Sequence, residues 1–425
     1  MSFFQFQKYV YCSHPFRMRF TRFTAVQPSL PRIYTLLRLN GKCLHQTSRM
    51  GRENVLLSIA VALPVLVGLS FTVSLSILKK KNTNQQTCIR DPEFSGFSSV
   101  QCRPPYISDD SENATSRNQT FLIPSELASN ADNARRLLDG RLHPLDVIVA
   151  SYPKSGTTLL SELVFLLVNN LDWSQSAAQN LEIRVPYFEY LWPGPYALIN
   201  QSAPRTVKTH LPFTHLPRDV QRGESARIIY IVRDPRDVVV SYHHFTRCFI
   251  PAGYKNKEGL HGFVERFLAD RLPYSPWTEH VKSYLMAAAP NQSAKQVISP
   301  KILIVQFEDL KCNLRTVIRD IESFLHRTWP RSSDCPVPRK ISDEELEQLV
   351  EHCSFQAMSS NPATNFSWWK DLGLWNPNEK FMRRGVVGDH QSVLTANQSN
   401  LIREMAVSAS LEWTLADNFS LDMQK

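Results

Sequence analysis

The sequence predicts an α/β fold: a parallel sheet flanked by helices, preceded by a single transmembrane helix. Three observations carry that expectation. Apolar β-type runs at 147–150, 206–208, 227–232 and 302–305 are separated by helical or loop stretches. Runs that stay apolar instead of alternating suit strands covered on both faces, as in a parallel sheet. The first run then breaks at Pro153 and Gly156 before a helix-patterned segment, which is the strand–loop–helix order of a P-loop-like anion cradle. Far upstream, residues 54–78 form an uncharged, mostly apolar stretch of 25 residues, longer than the roughly 20 that cross a hydrocarbon core.

Residues 1–53 hold nine Lys/Arg against Glu53 alone, a basic N-terminal tail or presequence. Met50, directly before Gly51, is a second candidate start. Residues 54–78 read as the transmembrane helix, in which Pro64 and Gly68 are tolerated. Arg38, Lys42, Arg49 and Arg52 precede it, and Lys79, Lys80, Lys81 and Arg90 follow it, so basic residues give no orientation. The expectation is a single-pass membrane protein whose remaining chain faces the cytosol or the Golgi lumen. Residues 79–125 are polar and read as a stem, and 126–425 as the folded domain. Asn113, Asn118, Asn200, Asn291, Asn365, Asn397 and Asn418 match the glycosylation pattern.

Of the net charge of +9, the tail and the lysine triplet hold more than the whole, leaving residues 82–425 at −2. Basicity thus belongs to the membrane flanks, and a nucleic-acid-binding domain is excluded. The eight cysteines show no C-x-x-C spacing and no Cys/His cluster with ligand spacing, so neither a disulfide framework nor a metal site is expected. No internal repeat is visible.

In the opening loop, Leu159, Leu160, Leu163, Leu166 and Leu167 share one helical face after Ser155–Gly156–Thr157–Thr158. Backbone N–H groups and the positive helix end converge there, and Lys154 with the Ser155, Thr157 and Thr158 hydroxyls adds a charge and more donors. The NTPase pattern G-x-x-x-x-G-K-[ST] does not fit. Aligned on Thr157, Ala150 and Ser155 replace its glycines and Gly156 replaces its lysine, while Lys154 lies earlier on the loop. A nucleoside kinase or related NTPase is therefore disfavoured, and a ligand with a differently placed anionic group is implied.

Because ligands of parallel sheets bind beyond the carboxyl ends of the strands, Lys154, Lys208, His210 and Arg233 belong on one rim. His210 is suited to moving a proton at neutral pH, and Lys208 to neutralising developing negative charge. Asp234 can cap a helix with Pro235 at its first position. Arg233 and Ser241 could then grip a second phosphate. Arg383-Arg384-Gly385 is a basic loop suited to bidentate phosphate binding with close backbone approach.

Six motifs, in order over about 140–410, resemble the cytosolic-type sulfotransferases. They are TyrProLysSerGlyThrThr (152–158), ArgValProTyrPheGlu (184–189), LysThrHisLeuPro (208–212), Arg233 through SerTyrHisHisPhe (241–245), PheGluAspLeu (307–310) and PheMetArgArgGlyValValGlyAsp (381–389). The resemblance implies a P-loop-like sulfotransferase fold and transfer of a sulfuryl group from 3′-phosphoadenosine 5′-phosphosulfate (PAPS), without a metal. By the same resemblance, Lys154–Thr158 would hold the 5′-phosphosulfate, and Arg233, Ser241, Arg383, Arg384 and Gly385 the 3′-phosphate. Phe355 would stack on adenine with Met358 nearby. His210 would act as base, with Lys154 and Lys208 stabilising charge on the sulfonyl group and the leaving oxygen. Tyr187, Phe188 and Phe245 would form an aromatic wall for a small hydrophobic hydroxyl or amine acceptor.

The sequence departs from the family at several of these positions. Leu159 stands for a tryptophan, Phe307 for a tyrosine, Cys353 for a threonine, Arg384 for a lysine, and His390-Gln391 for Trp-Lys. The family's dimer motif keeps Thr395 but loses both charges between Gln391 and Asn400, so no oligomer is expected. Two alternatives stay open: a Golgi-type carbohydrate sulfotransferase, or a PAPS-binding but inactive membrane protein.

Overall fold

The computed structural model describes residues 89–100, 121–125, 142–190, 198, 201–255, 257–289, 299–331 and 336–416. Two short strands, Ile89–Arg90 (β1) and Phe97–Val100 (β2), pair antiparallel with each other, and Phe121–Pro124 (β3) pairs with β2. Four further strands build the central sheet: Val147–Ser151 (β4), Thr206–Thr209 (β5), Arg227–Val232 (β6) and Ile302–Gln306 (β7). Their order is β5-β4-β6-β7, and every pairing is parallel, so each connection is a crossover. The strands lie where the apolar runs place them, extended by one residue at the carboxyl ends of β4, β5 and β7.

Side chains of the sheet alternate between two buried layers. Ile148, Ala150, Val207, Ile228 and Tyr230 enter one core, while Val147, Val149, Ile229 and Ile231 enter the other. Helix Thr157–Val168 (α1) covers the second core with Leu160, Leu163, Leu166 and Leu167, all at 3% exposure or less. Each such leucine is worth about 1.5–3 kcal/mol of transfer free energy. Leu314–Thr328 and Asp343–His352 pack on that side too, through Ile318, Ile321 and Leu349. On the opposite face Pro235–Cys248 (α2), Gly259–Leu268 and Trp277–Ala288 bury Val239, Phe263 and Tyr284. A fully buried Glu162 within α1 is satisfied by Arg184 at 2.7 Å, Ser176 at 2.6 Å and His352 at 2.9 Å.

The stem expected over 79–125 is corrected for its described residues. Within 89–100, Phe94 is fully buried and stacks on Tyr254 at 4.7 Å, and Asp91 pairs with Arg266 at 3.1 Å. Leu122 of β3 accepts the Tyr274 N–H at 2.9 Å. Their few large apolar residues suffice because they dock on an existing core instead of building one. No helix among the described residues is long and apolar enough to cross a membrane; the 54–78 segment lies outside them, as do the tail and most sequons.

Candidate active site

Parallel pairing brings Ser151, Thr209 and Val232 to one edge of the sheet, and the loops that follow them meet there. After β4 the chain turns through Lys154 at φ 69° and Gly156 at φ 109° before α1 begins. Only glycine suits position 156, since a Cβ would lie 2.6 Å from the Phe307 ring. No side chain caps α1, so its first N–H groups remain available to an outside acceptor. Ser155 Oγ is buried and has no partner among the described residues. A buried hydroxyl, free amides and a helix end together fit an anion. Thr157 points elsewhere, bonding Ser151 Oγ at 2.6 Å, and Thr158 is half-buried.

Lys154 is half-buried, its ammonium 4.5 Å from the Phe245 ring centre and 4.6 Å from that of Phe381. Burial, together with Arg233 and Arg383, lowers its pKa to about 7. Lys208, at the end of β5, lies 4.3 Å from the Tyr187 ring centre, and burial lowers it to about 8. Neither lysine has an ion-pair partner among the described residues.

His210 lies one residue beyond β5, with Nδ1 2.8 Å from the Ser151 carbonyl oxygen. A carbonyl only accepts, so Nδ1 carries the proton and Nε2 keeps a lone pair, to which the Tyr187 hydroxyl donates at 2.9 Å. Burial lowers the His210 pKa to about 3, keeping the ring neutral. Its backbone N–H donates to Glu189 at 2.7 Å, while its carbonyl is 3.0 Å from His280 Nε2. The result is a fixed, neutral imidazole with an unprotonated Nε2 beside two lysines.

Arg233, directly after β6, lies over the Phe307 ring at 4.3 Å, and its Nε is buried without a partner among the described residues. It donates to the Val386 carbonyl at 3.0 Å and faces Asp237 at 3.3 Å. Asp234 caps α2 through the Arg236 N–H, with Pro235 at the first position as expected. Ser241 lies one turn beyond Asp237 and is half-buried. Asp237 accepts from the Gly388 and His390 N–H groups, each at 2.9 Å, and from His390 Nδ1 at 2.8 Å. Burial pushes the Asp237 carboxyl up, but the His390 and Arg233 contacts outweigh it and bring it down to about 2. Gly385, at φ 63°, passes so near Phe355 that a Cβ would lie 2.3 Å from its ring. Met358 is buried one turn after Phe355.

Three sequence readings need adjustment. Arg383 and Arg384 do not stand free: both pair with Asp389, Arg384 at 2.7 Å. Phe188, placed on the acceptor wall, is 2% exposed in the core; its backbone N–H pairs with the Lys208 carbonyl at 2.8 Å. Phe245 belongs to an aromatic group with Phe249, Trp369, Trp375 and Phe381 that flanks Lys154. Sequence reasoning missed Ser151, Glu189, Asp237 and His390. Glu189 and Asp237 sat inside quoted motifs, but nothing local says which partner each finds. The structure also unites His244, Cys248 and Glu379, ligand-type groups that spacing alone did not connect.

A family model described as a sulfotransferase domain matches residues 144–411. The chain belongs to this family. Among curated relatives, human sulfotransferase 1E1 is 33% identical over 256 residues, 59% of this chain and 79% of the relative. Dog sulfotransferase 1B1 is 31% identical over 278 residues, 63% and 84% of the two chains. A crystal structure of retinol dehydratase with androsterone and the inactive cofactor PAP matches with a TM-score of 0.57 at 23% identity, covering 71% of this chain and 88% of that one. At that identity the likeness is one of fold, and it accords with the parallel sheet flanked by helices. The sulfotransferase domain therefore includes the phosphate-type loop, the His210 rim and the 381–389 loop described above.

Proposed function

We propose that this sulfotransferase transfers a sulfuryl group from PAPS to a hydroxyl or amine of a small hydrophobic acceptor, with His210 as the base. The observation that carries the reading is His210 Nε2, deprotonated and fixed beside Lys154 and Lys208 at the carboxyl edge of the sheet. PAP-bound structures among the fold neighbours support the donor.

The residues fit a ligand with two separated anionic groups. Ser155 Oγ and Arg233 Nε are buried and unpartnered at two places, and Gly156 and Gly385 allow close approach at each. Lys154, Ser155, Gly156, Thr157 and Thr158 would hold the phosphosulfate. Arg233, Ser241, Arg383, Arg384 and Gly385 would hold the 3′-phosphate, whose oxygens compete with Asp389 for the two arginines. Phe355 and Met358 would receive the adenine. When bound, PAPS supplies the sulfuryl group and a bisphosphate leaving group.

For an acceptor hydroxyl, Nε2 of His210 takes the proton as the oxygen attacks sulfur, replacing the Tyr187 hydroxyl as its hydrogen-bond partner. The protein-held cations, Lys154 and Lys208, stabilise charge on the sulfonyl oxygens and on the departing bridging oxygen. Tyr187 and Phe245 face the acceptor, and Phe188 supports that wall from behind.

Residues 54–78 would anchor the enzyme as a single-pass membrane protein, with the catalytic domain in the cytosol or the Golgi lumen. Endoglycosidase sensitivity of the full chain distinguishes the sides.

The enzymatic test supplies labelled PAPS with phenols, steroids, amines and sulfatable glycans. Transfer to a small acceptor is expected, with His210→Ala lowering kcat by about 10²–10⁴-fold while donor binding persists. Binding of PAPS without transfer to any acceptor sinks the enzyme reading, and transfer to glycans alone selects a carbohydrate sulfotransferase. Unimpaired His210→Ala removes the assigned base.

A further inference from the structure

Near its C-terminal end, α2 carries a cluster that the proposed reaction leaves unused. His244 and Cys248 are one helical turn apart and leave the same face, with His244 Nε2 3.9 Å from Cys248 Sγ. Glu379, from a distant part of the chain, adds a carboxylate, and the three ligand-type atoms lie within 4.8 Å of one another.

The backbones bearing these groups are held by bonds that involve no ion. The Asn376 N–H donates to the Cys248 carbonyl at 2.9 Å, and the Ile250 N–H to the Leu374 carbonyl at 2.9 Å. The Trp375 indole N–H donates to the Glu379 carbonyl at 3.1 Å, and the Glu379 N–H to the Asn376 carbonyl at 3.1 Å. A helix turn and a pinned hairpin-like segment therefore present one sulfur, one nitrogen and one oxygen to a common point.

We propose that His244, Cys248 and Glu379 bind a borderline-soft divalent cation of the Zn²⁺ type, leaving a fourth position for water. A thiolate disfavours Mg²⁺ and Ca²⁺, and three mixed ligands with an open position suit tetrahedral zinc. Zn–S of about 2.3 Å and Zn–N of about 2.0 Å give a tetrahedral S···N edge of about 3.5 Å. The observed 3.9 Å closes to that value with a small side-chain rotation. Thiolate and carboxylate together offset the ionic charge, while nearby Arg247, Arg383 and Lys154 work against it. Phe381 and Arg383 follow Glu379 closely, so a bound ion ties the segment that carries them to α2.

The test titrates the full chain in detergent with Co²⁺ as a spectroscopic probe, then displaces it with Zn²⁺. A thiolate-to-cobalt charge-transfer band saturating at about one equivalent per chain is expected. Cys248→Ser should abolish the band, and His244→Ala and Glu379→Gln should each weaken binding by about tenfold or more. His244 and Glu379 are only partly buried, so those two variants remain decisive even if Cys248→Ser fails to fold. The absence of any band, an undiminished band in Cys248→Ser, or unshifted midpoints in the other two variants overturns the site.

Discussion

At Lys154, burial and two neighbouring arginines bring the ammonium pKa down to about 7, so at pH 8 most of it is neutral. An anion in the loop reverses that bias by giving the charged form a partner. Binding of PAP at pH 8 should therefore draw in from solvent about one proton onto Lys154, with a smaller share onto Lys208. Calorimetry in buffers of different ionisation enthalpy measures this uptake, which should fade towards pH 6, where Lys154 is already protonated. Lys154→Met should remove most of it; unchanged uptake would assign the proton elsewhere. The positions of Lys154, Lys208 and His210 on one rim were legible from the sequence, because strand ends in a parallel sheet share an edge. The His210 tautomer was not, since it depends on a carbonyl 59 residues earlier.

Among the elements, the loop before α1 and the loop at 383–390 would form the proposed donor site by different means. The first depends on local backbone shape. Gly156→Ala should cost about 1–3 kcal/mol from the positive φ alone, with more from the Phe307 contact, and should weaken donor binding. Denaturant unfolding and PAP titration check both effects. The second loop depends on Asp237, a fully buried carboxylate that joins α2 to Gly388 and His390. Asp237→Ala should destabilise the fold by about 3–5 kcal/mol, the usual loss when one partner of a buried charge network is removed, and raise the donor KM. A variant with unchanged stability and KM would deny that anchoring role. His390 stands where the family has a tryptophan, and the structure gives this departure a purpose: its ring bonds the α2 carboxylate.

For the whole molecule, buried titratable groups set the pH dependence of folding. Burial lowers His210 and His280 to about 3 and His215 to about 4, so below about pH 6.5 the unfolded chain takes protons that the folded chain refuses. That lowers stability as pH falls. Burial raises Glu189 to about 7 and Glu308 to about 8, so over the range from their unfolded values up to these the folded chain holds more protons. That opposes the histidines. The two sets nearly cancel around pH 6.5, and the histidines win below about pH 6, at about 1.4 kcal/mol per pH unit for each net proton. Urea midpoints should be nearly flat from pH 6 to 7 and fall increasingly steeply below 5. Stability that rises on acidification from pH 6 to 5 would contradict this balance.

By itself the sequence determined the parallel α/β sheet, the strand–loop–helix cradle, the cap at Asp234 and the family. Each is written in local patterning: apolar runs, turn residues and short motifs whose parts touch because they are neighbours in the chain. Tertiary structure alone decided that 89–100 and 121–125 join the catalytic domain, that Asp389 holds both late arginines, and that Phe188 is core. It also decided that Asp237 anchors the 383–390 loop and that Glu379 meets His244 and Cys248. The physical reason differs for one of the five: Asp389 is only five and six residues from its arginines but in a loop with no regular period, whereas the other partners lie beyond the reach of any helical or strand period. Desolvation and charge pairing there depend on which distant surfaces the packed layers bring together.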